Sequence, residues 1–360
     1  MEHIYIHIPF CQNICSYCDF CKVVYNSKYV KKYLDALENE VKEYYQNETV
    51  KSIYLGGGTP SVLNPAELNR LFQIVMCFKR TADCEITFEC NPEHINDLLI
   101  NILKYNGVNR LSIGIQSFNN EKLKFMERHS DFATLKKKIE LIRSKGINNI
   151  NLDLMYGIPS ESLDVLKKDI KMLLKLEPEH ISTYSLIIED NTKIKIANTV
   201  NIDETLEAKM YDYIRKKLRS KGYEHYEVSN FAKTGFESNH NLAYWNNKEY
   251  YGFGLGASGY MSGFRYDNTK NVNDYVEGKY RFNEALLSKQ EMMEYEMMLG
   301  LRKMQGVSLQ EFFDKYEVNM QEAFPIKPLI KNGELIYKNG YIYINPEKIY
   351  LMNELLLKLI

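Results

Sequence analysis

The sequence predicts an α/β protein built around a parallel sheet that is covered by helices. Apolar, β-branched segments recur along the first half of the chain, and longer segments with helical character separate them. These segments are residues 4–8, 52–55, 85–88, 110–115, 149–154 and 180–186. Near-continuous apolar strands that alternate with helices are typical of a parallel sheet buried on both faces. We therefore predict a partial (β/α)6 barrel that resembles part of a TIM barrel.

The segments between the predicted strands have the periodicity of amphipathic helices. The clearest spans residues 28–45, where one apolar stripe is formed by Val30, Tyr33, Leu34, Leu37, Val41 and Tyr44. The alternative dinucleotide-binding fold has a GxGxxG sequence that opens a helix after the first strand, and the chain lacks that sequence there. The barrel is therefore the favoured architecture.

The last part of the chain, residues 286–360, has a different pattern. Capping-box sequences that begin at Ser288 and Ser308 precede two apolar-faced helices. Asn339-Gly340 separates two β-like segments, which indicates a hairpin. We predict a small winged-helix-like α+β domain. Because its charges are mixed and form no basic stripe, we expect a packing or lid role rather than nucleic-acid binding.

These patterns divide the chain into three predicted segments. The barrel occupies residues 1–235, a connecting region occupies residues 236–285, and the C-terminal domain occupies residues 286–360.

Composition limits the classes of partner. A chain of 360 residues with 45% hydrophobic residues can bury a large core. Its 46 basic and 47 acidic residues nearly cancel, so the overall charge does not favour nucleic acid or an anionic membrane as the main partner. There is no secretory leader pattern and no run of the roughly 20 apolar residues that a membrane span needs. We expect a cytoplasmic protein with a small-molecule partner and no stable membrane insertion.

The cysteines cluster near the start of the chain. Cys11, Cys15 and Cys18 have a C-x3-C-x2-C spacing, and Cys21 follows outside that spacing. An odd total of seven makes a disulfide framework a poor explanation, so a metal site or a set of inert buried thiols remains. Zinc usually takes two separated pairs of ligands, whereas three thiols can hold an iron-sulfur cluster with one iron left open. We interpret Cys21 as a non-ligand.

Polar or glycine residues follow the predicted strands. They are Cys11, the run Gly56-Gly57-Gly58-Thr59-Pro60, Glu89, Gln116, Asp153, Tyr184 and Glu189. In a parallel barrel the carboxyl ends of the strands meet at one mouth, so these residues predict a single site. Consecutive glycines allow close approach of the backbone to a ligand, although they are also typical of a tight turn. Buried carboxylates at the same place would need a cation or hydrogen-bond donors.

The cysteine spacing, with an aromatic residue before the third cysteine, resembles the cluster loop of radical S-adenosylmethionine (SAM) proteins. The sequences YIHIPFC and YCDF resemble, more narrowly, the oxygen-independent coproporphyrinogen III oxidase group. The resemblance implies a radical SAM barrel with a [4Fe-4S] cluster on Cys11, Cys15 and Cys18, and SAM bound at the open iron. It also implies SAM contacts from Tyr5, Gly57, Gly58, Thr59, Glu89, Gln116, Arg128 and Asp153.

A second motif lies in the connecting region, where His240, Tyr244 and Trp245 form the pattern H-N-x-x-Y-W. An imidazole with two large aromatic rings offers an iron ligand and stacking surfaces for a porphyrin, although such residues are more often structural. The pattern resembles the motif of the HemW-type heme chaperones, a branch of the same group. That resemblance implies heme as cargo.

Three functions from different classes follow. The first is a heme chaperone that uses a cluster and SAM, meets an electron donor, and transfers heme to an accepting protein. The second is an anaerobic, SAM-dependent coproporphyrinogen III dehydrogenase of heme biosynthesis, with a porphyrinogen as substrate. The third is a cysteine-rich metal-binding scaffold, which the residues at the strand ends disfavour. The sequence leaves open whether the protein is an enzyme.

Overall fold

The structure is a computed structural model that describes residues 1–190 and 192–360. Its strands are β1 (His3–Ile8), β2 (Phe10–Cys11), β3 (Val23–Val24), β4 (Val50–Gly57), β5 (Arg80–Cys90), β6 (Arg110–Gln116), β7 (Asn149–Tyr156), β8 (His180–Ser185), β9 (Glu224–His225), β10 (Asn230–Ala232), β11 (Tyr251–Phe253), β12 (Ser258–Met261), β13 (Phe264–Asn268), β14 (Arg281–Leu286), β15 (Val307–Ser308), β16 (Leu335–Lys338) and β17 (Tyr341–Ile344).

Helices connect the strands along the whole chain. They are α1 (Ser27–Tyr44), α2 (Pro65–Val75), α3 (Asp97–Tyr105), α4 (Asn120–Phe125), α5 (Phe132–Ser144), α6 (Leu163–Leu174), α7 (Lys193–Ile196), α8 (Glu204–Arg219), α9 (Asn239–Trp245), α10 (Val272–Val276), α11 (Lys289–Gly300), α12 (Leu309–Tyr316), α13 (Met320–Ala323), α14 (Ile326–Lys331) and α15 (Met352–Leu356). Short 3-10 helices span Pro60–Val62, Pro92–His94 and Pro346–Leu351.

The predicted α/β class is confirmed. The main sheet has nine strands in the order β11-β1-β4-β5-β6-β7-β8-β10-β9. Its six central strands, β1 and β4 to β8, pair in parallel and coincide with the six segments predicted from the sequence. Strand β11 adds in parallel beside β1, whereas β10 pairs antiparallel with β8. The order has two ends, so the sheet forms an open barrel.

Apolar residues at helical spacing attach the helices to this sheet. In α1 the predicted stripe is buried at Val30, Tyr33, Leu34, Leu37 and Val41. The helix begins where the Asn26 side chain accepts a hydrogen bond from the Lys28 amide, which satisfies one of the unpaired amides of the first turn.

The amino ends of the strands are closed by α9. The carboxylate of Glu85, in the middle of β5 and level with Ser52 near the start of β4, accepts hydrogen bonds from the Asn239 and His240 amides at 3.0 and 3.1 Å. The Ser238 hydroxyl donates to the same carboxylate at 3.4 Å. An anionic group at a helix N-terminus accepts hydrogen bonds from the free amides of the first turn and interacts favourably with the helix dipole. Glu85 therefore anchors α9 at this end of the barrel.

The C-terminal segment forms a smaller helical unit with a three-stranded sheet in the order β15-β17-β16. The predicted hairpin joins β16 to β17 with Asn339 and Gly340 at φ angles of 52° and 81°, the left-handed pair of a tight hairpin turn. The capping box at Ser288 is complete, whereas Ser308 provides only the hydroxyl that accepts from the Glu311 amide.

The division into three segments stays a prediction, and β11 shows how closely they are joined. This strand comes from the connecting region but pairs with β1 in the main sheet.

Among the described helices, none combines the length and apolarity that crossing a membrane requires.

Candidate cofactor site at the mouth of the barrel

A cavity of about 410 Å³ opens where the parallel strands end. Residues from the cysteine loop and from the carboxyl ends of β4, β5, β6, β7 and β8 line it. Its lining includes Cys11, Cys15, Cys18, Gly57, Gly58, Thr59, Glu89, Gln116, Arg128 and Asp153. The structure therefore brings together residues that are more than 140 positions apart in the chain.

The cysteine loop leaves β1 and returns through the short parallel pair of β2 and β3. The Thr59 hydroxyl donates to the Cys11 thiol at 3.6 Å, and the Arg128 guanidinium donates to the Cys15 thiol at 3.7 Å. Burial raises the pKa of Cys11 to about 11 and also raises the pKa of Cys18. The thiol form is therefore favoured until a metal binds, since a coordinated thiol is deprotonated outright.

The three thiols line one cavity without converging on one point. Within residues 1–190 and 192–360, no three histidine, cysteine or acidic side chains are placed to hold a single metal ion. In an iron-sulfur cluster each thiolate binds a different iron, so the thiols surround a volume rather than a single ion. The donor set of three cysteines on one loop, facing a cavity, fits a cluster better than a mononuclear zinc site.

The glycine loop after β4 has no room for side chains. A Cβ atom at Gly56 would lie 2.7 Å from the Glu89 carboxyl carbon. One at Gly58 would lie 2.8 Å from the Pro9 backbone, and Gly57 has a φ of +116°. Glycine is required at all three positions by close approach or by backbone conformation.

The amides of this loop are already used within the protein. Gly57 donates to the Glu89 carboxylate at 3.0 Å, Gly58 donates to the Ile8 carbonyl at 2.9 Å, and Thr59 donates to the Phe10 carbonyl at 2.8 Å. A loop whose amides are engaged does not form an anion-binding nest. What it can present to a ligand is carbonyl oxygen, which suits an ammonium group.

Two carboxylates line the cavity from β5 and β7, the strands on either side of β6. Glu89 accepts from the Tyr54 hydroxyl at 2.7 Å, and burial raises its pKa to about 7. Asp153 accepts from the Asn151 side chain at 2.7 Å, and burial also raises its pKa. A buried carboxylate with a raised pKa is stabilised in its charged form by a cation nearby. The cavity therefore favours a positively charged ligand.

Gln116 and Arg128 are placed by an irregularity in β6. Gln116 has a φ of +62°, and the register of β6 against β7 shifts between Gly114 and Gln116. The Arg128 guanidinium, from the loop after α4, donates to the Gly114 carbonyl at 2.6 Å. A Cβ atom at Gly114 would lie 2.7 Å from the Gln116 amide nitrogen, so the glycine makes room for both side chains. Strained backbone of this kind is concentrated at functional sites.

Tyr5 does not reach the cavity. Its hydroxyl donates to Nδ1 of His7 at 2.9 Å, and His7 in turn donates from Nε2 to the Cys21 carbonyl at 2.7 Å. His7 therefore joins Tyr5 to Cys21, and neither of these two residues is on the lining of the cavity. The SAM contact of Tyr5 and the non-ligand role of Cys21 both stay predictions.

The H-N-x-x-Y-W motif lies on α9 at the amino ends of the strands, and its Asn241 lines the cavity from that side. His240 is 1% exposed, with Nδ1 hydrogen-bonded to the Ser52 hydroxyl at 2.8 Å and Nε2 to the Tyr244 hydroxyl at 2.9 Å. The Arg302 guanidinium lies 5.7 Å from the centre of the Trp245 ring. Both imidazole nitrogens of His240 are engaged, so this conformation offers none to an iron. The heme role of His240, Tyr244 and Trp245 stays a prediction.

Sequence reasoning missed several residues that line the cavity. They include Tyr54, Arg110, Ser112, Asn151 and Ser182. Arg110 is 1% exposed, and no hydrogen bond or ion pair joins its guanidinium to any other residue that the structure describes. Its signal in the sequence is a charged residue at the first position of an otherwise apolar strand.

Comparison with known proteins identifies the family. Residues 5–173 match the Radical SAM superfamily, and residues 287–351 match the HemN C-terminal domain. The chain is 39% identical over 348 residues to "Heme chaperone HemW" of Lactococcus lactis subsp. lactis (strain IL1403), which covers 93% of this chain and 90% of that one. The chain belongs to the HemW family. A second HemW relative, from Bacillus subtilis (strain 168), is 38% identical over 98% of both chains.

The fold of the HemW-family chain is shared with a solved structure. It matches the coproporphyrinogen III oxidase HemN from Escherichia coli with a TM-score of 0.87, over 99% of this chain and 89% of that one. At 22% sequence identity this similarity concerns the fold. The predicted resemblance to the radical SAM group that contains HemN and HemW is confirmed.

Proposed function

We propose that the protein is a heme chaperone that binds a [4Fe-4S] cluster and SAM and passes heme to an accepting protein. The observation that carries this proposal is the 39% and 38% identity to proteins named heme chaperone HemW, over at least 90% of each chain. The arrangement of thiols, glycine backbone and carboxylates in one cavity supports the cofactor part.

Each part of the cavity suits one part of those cofactors. Cys11, Cys15 and Cys18 would hold the cluster. The carbonyls of the glycine loop, together with Glu89, would receive the ammonium group of SAM, and Asp153 would accept from its hydroxyl groups. When bound, the cluster and SAM supply one-electron chemistry, with the electron coming from an external donor. The chain's own residues orient SAM and neutralise its positive charge.

Gln116 and Arg128 complete the proposed SAM site on its other side. Arg128 is 9% exposed, and its guanidinium lies between the Cys15 thiol and the Gly114 carbonyl. A guanidinium held in this way presents its remaining N–H groups to a carboxylate in a fixed orientation. We therefore assign it, with the Gln116 amide, to the SAM carboxylate.

The test separates a chaperone from a decarboxylating enzyme. The anaerobically reconstituted protein is mixed with heme in one experiment, and with coproporphyrinogen III, SAM and a reductant in another. We expect stoichiometric retention of heme, transfer of that heme to an apo-acceptor, and no decarboxylation. Sustained conversion of coproporphyrinogen III would overturn the chaperone and establish the dehydrogenase instead.

A further inference from the structure

Strands β7 and β8 turn polar residues towards the interior of the barrel. The cofactor cavity is lined from these two strands by Asn151, Asp153, Ser182 and Tyr184. Side chains alternate between the two faces of a strand, so His180 shares the inner face of β8 with Ser182 and Tyr184. It lies beside Asn151, its partner in the register of the two strands.

A chain of buried hydrogen bonds joins His180 to Asp153. The Asn151 amide nitrogen donates to the Asp153 carboxylate at 2.7 Å, and the Asn151 amide oxygen lies 2.6 Å from Nδ1 of His180. Nε2 of His180 lies 2.8 Å from the Tyr226 hydroxyl, which accepts from the Ser238 amide at 3.3 Å. His180 and Asn151 are buried, so solvent does not compete for these contacts.

The two ends of this chain fix the direction of every hydrogen bond in it. The Asp153 carboxylate can only accept, and the Ser238 backbone amide can only donate. Asn151 must therefore turn its NH2 group towards Asp153 and its oxygen towards His180. Nδ1 of His180 then donates to that oxygen, and Nε2 accepts from the Tyr226 hydroxyl. One neutral tautomer of His180 satisfies all of these contacts.

The surroundings of His180 keep its imidazole neutral. Burial lowers the pKa of His180 well below its usual value, and the charge of Arg110 lowers it further. The other neutral tautomer would present a lone pair to Asn151 and favour an amide whose oxygen faces Asp153. Two acceptors would then lie against each other, because an ionised carboxylate has no proton to donate.

A second donor to Asn151 does not select between these two orientations. The Ser182 hydroxyl donates to the Asn151 oxygen at 3.0 Å. A hydroxyl group can rotate and accept from an amide nitrogen instead, so Ser182 is compatible with either orientation. The His180 ring has no such freedom while Tyr226 donates to its Nε2. The orientation of the Asn151 amide therefore depends on His180.

We propose that His180 is a positioning residue for SAM, which holds the Asn151 amide in the orientation that keeps Asp153 charged and directed into the cavity. The inference rests on the proposed function, in which Asp153 accepts from the hydroxyl groups of SAM. His180 is not on the lining of the cavity, so it acts through Asn151 and Asp153. Hydrogen bonds to a charged group are stronger than those between neutral groups, so the orientation of one amide is enough to change SAM affinity.

The first experiment compares two substitutions of His180 by isothermal titration calorimetry of SAM with the anaerobically reconstituted protein. His180→Leu removes the donor to Asn151, and SAM should bind at least about tenfold more weakly at pH 7. His180→Asn places an amide nitrogen where Nδ1 lies, and it should restore most of that affinity. A loss caused by packing alone would instead be larger in His180→Asn, because asparagine fills less of the space.

A second set of variants tests whether the effect passes through the carboxylate. In an Asp153→Asn background, His180→Leu should change SAM affinity by less than about twofold, since no charge remains to be positioned. Tyr226→Phe removes the hydroxyl that fixes the tautomer and should weaken SAM binding by a smaller factor. Because it deletes a single atom, Tyr226→Phe provides the test if His180→Leu does not fold. His225→Leu is the matched control, since His225 lies in the same sheet outside this chain of bonds.

The pH profile separates positioning from packing. Burial raises the pKa of Asp153, and the hydrogen bond from Asn151 lowers it. Without His180 this lowering is lost, so the carboxyl group takes up a proton more readily. The loss of SAM affinity in His180→Leu should therefore shrink as the pH rises from about 7 to about 9. A loss caused by packing would be the same across this range.

Other groups that face Asp153 are common to wild type and variant, so the difference between the two profiles reports on Asp153. The charged and titratable groups among them are Tyr17 of the cysteine loop, Tyr54 of β4, Glu89 of β5, Arg110 of β6 and Tyr184 of β8.

The outcomes distinguish this inference from the function on which it rests. Wild-type SAM affinity in His180→Leu, or a loss that His180→Asn does not reduce, would overturn the positioning role while leaving the chaperone in place. Undiminished SAM affinity in Asp153→Asn would refute the Asp153 contact and the inference with it. A wild-type protein that binds no SAM would overturn the cofactor part of the proposed function.

Discussion

The two ends of the barrel use the same kinds of side chain in opposite ways. Glu85 and Glu89 lie four residues apart on β5. Glu85, at the amino end, accepts from two backbone amides and one hydroxyl of the α9 segment. Glu89, at the carboxyl end, accepts from Tyr54 and Gly57 and lines the cavity. One carboxylate closes the protein and the other faces the space for a ligand.

The same contrast holds for the neighbouring residues. At the amino end, Ser52 links His3 and His240 at 2.9 and 2.8 Å, so these polar groups satisfy one another. Arg110, the first residue of β6, instead lines the cavity and is buried without a hydrogen bond or ion pair to any residue in 1–190 or 192–360. Buried polar groups are normally paired, so those that are unpaired beside a cavity indicate where a ligand binds. Residue type alone does not separate structural groups from binding groups.

The largest expected effect is at the open end. Anaerobic reconstitution with iron and sulfide should give the wild type a broad absorption at about 400 nm. The triple substitution of Cys11, Cys15 and Cys18 by alanine should abolish this absorption, because thiolates are the cluster's protein ligands. Cys77→Ala is the control, since that cysteine is exposed and distant from the loop in sequence. Cluster absorption that survives in the triple variant would refute the assignment of these ligands.

The next effect compares the two glutamates directly. Glu85→Ala leaves buried donors of the α9 segment without an acceptor, and we expect a loss of about 2–4 kcal/mol in the free energy of unfolding. Glu89→Gln keeps the shape of the side chain and should change that free energy much less, while SAM binding weakens. Urea denaturation followed by circular dichroism, with SAM titrations of both variants, provides the measurement. Equal losses of stability would break the distinction between the two ends.

Removing the buried guanidinium should act on the SAM site through charge. Arg110 lowers the pKa of both Glu89 and Asp153, although burial raises them more. In Arg110→Met the carboxylates should take up protons more readily, and SAM should bind about tenfold more weakly at pH 7, which corresponds to about 1.4 kcal/mol. Raising the pH should recover part of that loss. Lys168→Met, which removes an exposed charge, should leave SAM affinity unchanged.

The smallest expected effect is a pH dependence in the wild type. Burial raises the pKa of Glu89 from 4.5 to about 7. In the folded protein this carboxyl group is therefore mostly protonated and uncharged below about pH 7. SAM, which is positively charged, should bind more tightly as the pH rises from 6 to 8, by up to about tenfold. Isothermal titration calorimetry of wild type and Glu89→Gln would test this, and the variant should show a flatter profile.

The same shift affects stability with the opposite sign. An acid whose pKa is higher in the folded state binds more protons when folded. The contribution of Glu89 to the stability of the free protein therefore falls as the pH rises from 4.5 to about 7, and it stays at its lower value above that pH. A free protein whose stability rose because of Glu89 over this interval would contradict the burial of its carboxyl group.

Much of the fold was predictable because its signals are local. Apolar strand segments, the α1 stripe and the Asn339-Gly340 turn each depend on residues close in sequence, and all are present. The cysteine loop and the glycine loop were recognised for the same reason. Their residues do line one cavity, since the parallel order of the strands brings their carboxyl ends together.

The remainder depends on contacts between distant residues. The carboxyl-end position of Arg128 follows from its bond to the Gly114 carbonyl, and the burial of His240 follows from its bond to Ser52. No spacing in the sequence encodes either of these two hydrogen bonds. Arg110 was missed because a charged residue at the first position of an apolar segment is ordinarily interpreted as solvent-exposed, whereas here its side chain is buried and lines the cavity.

The pairing of β11 with β1 has a consequence for biosynthesis. Strand β1 leads directly into the cysteine loop, yet one of its two neighbours is β11, whose residues are Tyr251–Phe253. Until a nascent chain includes β11, one edge of β1 has no partner strand. At that length α9, the helix that closes the amino ends of the strands, has only just been translated. We therefore expect stable iron loading to follow, rather than accompany, synthesis of the first 253 residues, so ribosome-bound chains stalled before that point should not retain a cluster.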